Sequence, residues 1–102
     1  MPERRPSCAV ERLSLAPAEQ WTLHDVLADR LRRDRGGDPA DERTAYHRRQ
    51  AFETLDDGGR RFTRPELEAM QRTLARAHHT RRWEVERPRL EALLRQISSA
   101  LD

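Results

Sequence analysis

The sequence predicts a mainly α fold, a small four-helix domain of two helical hairpins. Three observations carry that expectation. Apolar residues recur at helical spacing in three stretches: Leu23, Leu27 and Leu31; Leu67, Met70 and Leu74; and Leu90, Leu93, Leu94, Ile97 and Leu101. Proline stands early in each stretch, at Pro17, Pro65 and Pro88, where the first turn of a helix has no use for the missing N–H. The glycine pairs Gly36–Gly37 and Gly58–Gly59 punctuate the chain between stretches.

Taken in order, "MPERRPSC" has two prolines, alternating charge and no periodicity, so residues 1–9 are expected to be a loose terminus ahead of one domain over residues 10–102. "VERLSL", Val10 to Leu15, suits a short strand. The first helix opens at Pro17, with Glu19 complementing its positive end. Its stripe of Leu23, Leu27 and Leu31 is bordered by Trp21, His24 and Ala28. Arg30, Arg32, Arg33 and Arg35 crowd its last turns, and Gly36 and Gly37 end it.

Asp38 and Pro39 form an N-cap and N1 pair for a second helix running to about Leu55. Its apolar face is sparse: Ala45, Phe52 and Leu55, with Tyr46 and Ala51 at the margins. The third helix has the clearest start. Thr63 and Glu66 make a capping box, and Phe62 and Leu67 occupy the positions of a hydrophobic staple. The fourth helix begins between Val85 and Arg87, and Glu91 and Arg95 pair on its outer face.

A weak internal repeat adds one expectation. A shift of 47 residues lays Leu15 on Phe62, Glu19 on Glu66, Leu23 on Met70 and Leu27 on Leu74. A genuine duplication would pair Leu13–Leu15 with Arg61–Thr63 as a minimal two-strand antiparallel bridge across a pseudo-twofold axis.

Composition narrows the function classes. Leu, Ile, Val and Phe number 18 of 102 residues against 38 charged residues, which implies a thin core and further stability from dimerisation or a partner. All 20 basic residues are arginine, yet the formal net charge is only +2, so no strong polyanion-attracting field is implied. The single cysteine, Cys8, rules out an intrachain disulfide and fits a reducing, cytoplasmic setting. No apolar run approaches the roughly 18 residues of a membrane span.

Candidate chemistry is limited. "LDDGGRRFTRPELEAM" resembles a calcium loop, but with Glu66 at its twelfth position the ligand positions 1 and 5 fall on Leu55 and Gly59 and position 6 on Arg60. A glycine turn followed by a capped helix accounts for the same residues. Cys8, His24, His47, His78 and His79 lack any metal-ligand spacing, and His24 is expected to be the most buried histidine. No nucleophile motif or phosphate loop is present, so no enzyme, cofactor, metal or small-molecule substrate is expected.

The leading expectation is a protein-interaction or regulatory module, self-associating or bound to another protein, in which the second helix and exposed Trp83 or Tyr46 meet the partner; the other place open to either tryptophan is the monomer core. The alternative is a small nucleic-acid-associated protein. Arginine doublets recur along the chain, and "RRFTR" sets Arg60, Arg61 and Arg64 beside a helix N-terminus, where anions are favoured. Interspersed acids weigh against it.

"LAPAEQWTLHDVL" with "RRFTRPELEAMQRTLARA" resembles a group of short, uncharacterised helical proteins of halophilic archaea, over roughly Leu15 to Leu101. Glu19, Leu23, Leu27, Phe62, Thr63, Glu66, Leu67 and Leu74 carry the resemblance. It implies a helical framework and brings no activity or catalytic residues.

Overall fold

The computed structural model describes residues 10–33 and 42–102. Four helices and a two-strand antiparallel sheet make a mainly α domain. In chain order they are β1 (Val10–Arg12), α1 (Pro17–Arg33), α2 (Glu42–Asp56), β2 (Arg61–Thr63), α3 (Arg64–His78), a 3-10 turn (Arg81–Trp83) and α4 (Arg87–Leu101). The expected loose terminus, the glycine end of α1 and the Asp38–Pro39 cap of α2 lie outside the described residues. No helix among those described is long and apolar enough to cross a membrane.

Helix α3 is the hub: it packs on α1, α2 and α4, while α1 also reaches α4. Its inward stripe of Leu67, Met70, Leu74 and Ala77 meets Leu23, Val26 and Leu27 from α1 and Leu90, Leu93 and Ile97 from α4 in one core. Burying each of these large side chains stabilises the fold by about 1.5–3 kcal/mol.

The path from α2 to α3 is fixed by backbone chemistry at almost every residue. Helix α2 ends with Gly59 N–H donating to Thr54 O (2.8 Å) and Gly58 N–H to Leu55 O (2.9 Å), the two bonds of a Schellman end. Gly58 takes φ +90°, which disfavours any residue with a Cβ, and a Cβ at Gly59 would lie 2.8 Å from the Thr54 methyl. The Arg60 guanidinium donates to the Gly58 and Gly59 carbonyls (both 3.0 Å) and to the Gln20 amide oxygen on α1. Phe62 is fully buried. One residue later the capping box closes: Glu66 N–H donates to Thr63 Oγ1 (3.3 Å), and Thr63 N–H donates to Glu66 Oε1 (2.9 Å). The former calcium-loop acids therefore do other work: Glu66 caps α3, and Asp56 bonds His24 on α1.

The bridge forms three residues earlier on its first strand than the repeat predicts. Val10 faces Thr63, Glu11 faces Phe62 and Arg12 faces Arg61. Leu13 adds a bond from its N–H to Arg60 O (2.9 Å) and is then buried. Beyond Leu13 the chain runs to Pro17, which opens α1. The 47-residue correspondence holds at the two helix starts and at the buried pairs Leu23 with Met70 and Leu27 with Leu74. Ala16 N–H donates to Glu19 Oε1 (3.0 Å), matching the Thr63–Glu66 bond 47 residues on, whereas the strands are not related by that shift.

Helix α2 turns inward a face shifted toward Arg48 and Ala51 from the one expected, with Leu55 common to both. Arg48, Ala51 and Leu55 are buried, Ala45 and Phe52 are half-buried, and Tyr46 is exposed. Arg48, 3% exposed, sits where an apolar residue would be ordinary. A buried guanidinium is tolerated only when hydrogen-bonded; here its Nε donates to Thr73 Oγ1 (2.8 Å), whose hydroxyl donates to Ala69 O (2.8 Å). The polar chain thus replaces apolar packing between α2 and α3.

Two surface clusters tie further elements. The Asp29 carboxylate on α1 is contacted by Arg32 (3.3 Å), Arg33 (3.2 Å) and, from the 3-10 turn, Arg82 (3.3 Å). On α4, Glu91 bonds His78 of α3 at 2.9 Å, so the residue expected to pair with Arg95 instead links two helices. That bond holds the Glu91 carboxyl below its usual 4.5, with the positive charges of His78, Arg95 and Arg87 acting in the same direction.

Two outcomes follow from these arrangements. Thr73→Val keeps the shape but removes one acceptor from buried Arg48, and urea unfolding should show a loss of about 1–3 kcal/mol; no loss would mean that the Arg48–Thr73 bond is dispensable. Because the folded-state pKa of Glu91 is lowered, its contribution is present above the ordinary glutamate range and is lost as pH falls through the folded value. The thermal midpoint of Glu91→Gln should therefore fall less than that of the parent on acidification below about pH 4.5.

Candidate functional site

The three arginines singled out in the sequence do not form one site. Arg60 is spent on the turn and on Gln20. Arg64 donates to Leu101 O at the end of α4 (2.8 Å) and lies 3.4 Å from Glu68. Arg61 alone of the three is without a hydrogen bond or ion pair among the described residues, and the ribbon register sets it opposite Arg12, which the sequence reading passed over.

This juxtaposition has electrostatic content. Because Leu13 and Arg60 are a hydrogen-bonded pair, the alternation of an antiparallel ladder makes Arg12 and Arg61 the closer-approaching kind. Like charges directly opposite are destabilising, and neither arginine has an ion-pair partner among the described residues. Together with Arg60, Gly58 and Gly59 they line a shallow depression of 340 Å³. An anion there would relieve the repulsion.

The aromatic residues are also redistributed. Trp83, expected at an interface, is half-buried and packs against the core, with the Arg82 guanidinium 5.5 Å from its ring centre. Tyr46 is 59% exposed on α2, edge-on to His47 at 5.2 Å. The most exposed aromatic is Trp21, at 66%. Trp21 and Leu23 are two residues apart, about 200° around a helix, so the leucine stripe itself directs Trp21 outward.

Trp21 does not stand alone. Its ring meets His24 edge-on at 6.0 Å, and His24 lies 4.7 Å from Phe52 of α2. The imidazole is anchored by its Nε2, 2.9 Å from Asp56 Oδ1, while its buried Nδ1 has no hydrogen-bond partner and faces Asp25 Oδ1 at 3.8 Å. His24 is thus partly buried, its side chain 25% exposed. The result is a continuous aromatic face across α1 and α2, rimmed by the exposed carboxylates of Asp25 and Asp56. Such a face can bury an apolar side chain at its centre and attract cations at its edge. Among the described residues, no three His, Cys, Asp or Glu side chains come together as a metal site.

Residues 13–98 match a family described as a family of unknown function, DUF7853. The chain belongs to this family. The match runs from Leu13, where the chain leaves the ribbon, into the last turns of α4, so it takes in all four helices, the capping box and the aromatic face. Membership gives a domain type and assigns no activity. Comparison with curated proteins and with solved structures returns no match.

Proposed function

We propose that this DUF7853 domain acts without catalysis, as a protein-interaction module that engages a partner through the face formed by Trp21, His24 and Phe52. One observation carries the reading: Trp21 exposes two-thirds of its surface in a chain with few large apolar residues to spare, and two further aromatic rings extend its surface across a second helix. Tryptophan is among the residues that dominate binding energy at interface centres. The rim carboxylates favour a partner segment with arginine or lysine beside an apolar anchor. The His–carboxylate pairs, His24–Asp56 and His78–Glu91, act in this reading as clamps between helices rather than as acid–base machinery.

A second reading, association with nucleic acid, is favoured by the opposed pair Arg12 and Arg61, whose charge has no ion-pair partner among the described residues and suits a phosphate.

A photo-crosslinking residue placed at position 21 or 52 in native cells should give adducts with a discrete protein, either a second copy of the chain or another protein. The same residue at exposed Arg89 of α4 should not. Trp21→Ala should weaken binding of the captured protein by roughly thirtyfold, the scale of an interface hot spot. Absence of adducts at both patch positions, with the protein monomeric by sedimentation, would remove the reading. For the alternative, fluorescence anisotropy with random duplex DNA should show affinity that falls steeply with salt and is lost in Arg12→Glu/Arg61→Glu. No binding at low salt would eliminate it.

A further inference from the structure

A cleft of 420 Å³ opens between α1, α3 and the 3-10 turn, on residues that neither proposed surface uses. Its apolar walls come from buried Val26 and Ala77 and from the half-buried ring of Trp83. Arg30, Arg33, Arg76 and Arg82 line it as well, with Asp29 the only acid among the described lining residues.

The charge arrangement decides what this cleft can hold. Asp29 is already contacted by three guanidiniums, through Arg33 Nε and through one Nη each of Arg32 and Arg82, at 3.2–3.3 Å. An arginine has five N–H donors in a rigid fork, so the carboxylate organises these side chains while using few of their donors. Arg33 in particular reaches Asp29 through its Nε. Arg76 is exposed and has no ion-pair partner among the described residues. The threonine hydroxyls in the lining are committed elsewhere: Thr73 donates to Ala69 O and accepts from Arg48, and Thr80 donates to Ala77 O. Recognition therefore rests on arginine forks beside an apolar, aromatic wall. Those forks match the tetrahedral oxygens of a phosphate, and the Trp83 ring, which carries the Arg82 guanidinium 5.5 Å from its centre, offers its edge to a flat apolar body.

We propose that this cleft binds a small organophosphate with a flat body, of which a nucleoside monophosphate is the simplest form. The phosphate engages Arg33, Arg76 and Arg82, and the base lies against Val26, Ala77 and Trp83. The size is sufficient, since small-molecule sites commonly span about 300–1,000 Å³. Arg82 is held across the cleft mouth by Asp29, so the 3-10 turn is positioned before the ligand arrives.

The chain has two tryptophans, so Trp21→Phe leaves Trp83 as the reporter. In that background, adenosine monophosphate should give a saturable change in tryptophan emission, and adenosine should give none. Arg76→Ala and Arg33→Ala should each weaken the effect roughly tenfold, the scale of one charge-assisted bond. Both side chains are exposed, so an unchanged thermal midpoint separates lost binding from lost folding. Arginine Nε–H signals in nuclear magnetic resonance provide a second readout, also with ribose 5-phosphate and inorganic phosphate. The proposal is overturned if no phosphate compound gives a saturable response in either measurement, if adenosine matches its monophosphate, or if both arginine variants bind like the parent.

Discussion

The segment from Leu55 to Leu67 constrains everything around it. Within this stretch the chain ends one helix, reverses through a positive-φ glycine, adds a strand to the ribbon and starts the hub helix. Few of its backbone groups can be re-paired without moving Phe62, which anchors the middle of the segment in the core. Arg60 extends the constraint outward, because its contact with Gln20 fixes α1 against the turn. The two helical hairpins thus share one rigid joint, and the aromatic face, assembled from α1 and α2 close to that joint, inherits its geometry.

A thin apolar core is compensated by polar contacts at helix boundaries. Arg48 and Thr73 join α2 to α3, Asp29 and Arg82 join α1 to the 3-10 turn, and His78 and Glu91 join α3 to α4. Ionic contacts such as these are weak at exposed positions and strong in effect only where burial leaves no alternative partner. Arg48 belongs to the second class. Its role is better described as orientation than as adhesion, since a displaced α2 would strand a cation in the interior.

What could be read from the sequence were the features set by local chemistry. The capping box at Thr63 and Glu66, the proline starts and the leucine stripes depend on residues within a few positions of one another, and each appears in the structure, except that Leu31 stays outside the core while Val26 enters it. The strand register was not legible because it is set by pairing between distant segments, and the 47-residue shift, which matches the helix starts at Glu19 and Glu66, pointed three residues too far along. The inward face of α2 was misjudged because hydropathy places arginine outside, whereas Thr73 on another helix gives Arg48 a reason to be inside. The arginine trio read as a cluster because sequence neighbours alternate faces or reach to distant partners, as Arg64 does to Leu101. Trp21 could have been found, since its angle from Leu23 was already in the text.

The two-strand ribbon has a consequence of another kind. Each of its strands has only one neighbour among the described residues, so each also has an outer edge able to template a further strand from another molecule. Short length is one safeguard; the opposed Arg12 and Arg61 are another. A strand approaching either edge would add its charges to a pair already in repulsion, and an identical ribbon would bring four arginines together. The electrostatic cost borne inside each folded molecule thereby discourages polymerisation between molecules, a protection that neutralisation of the pair would withdraw.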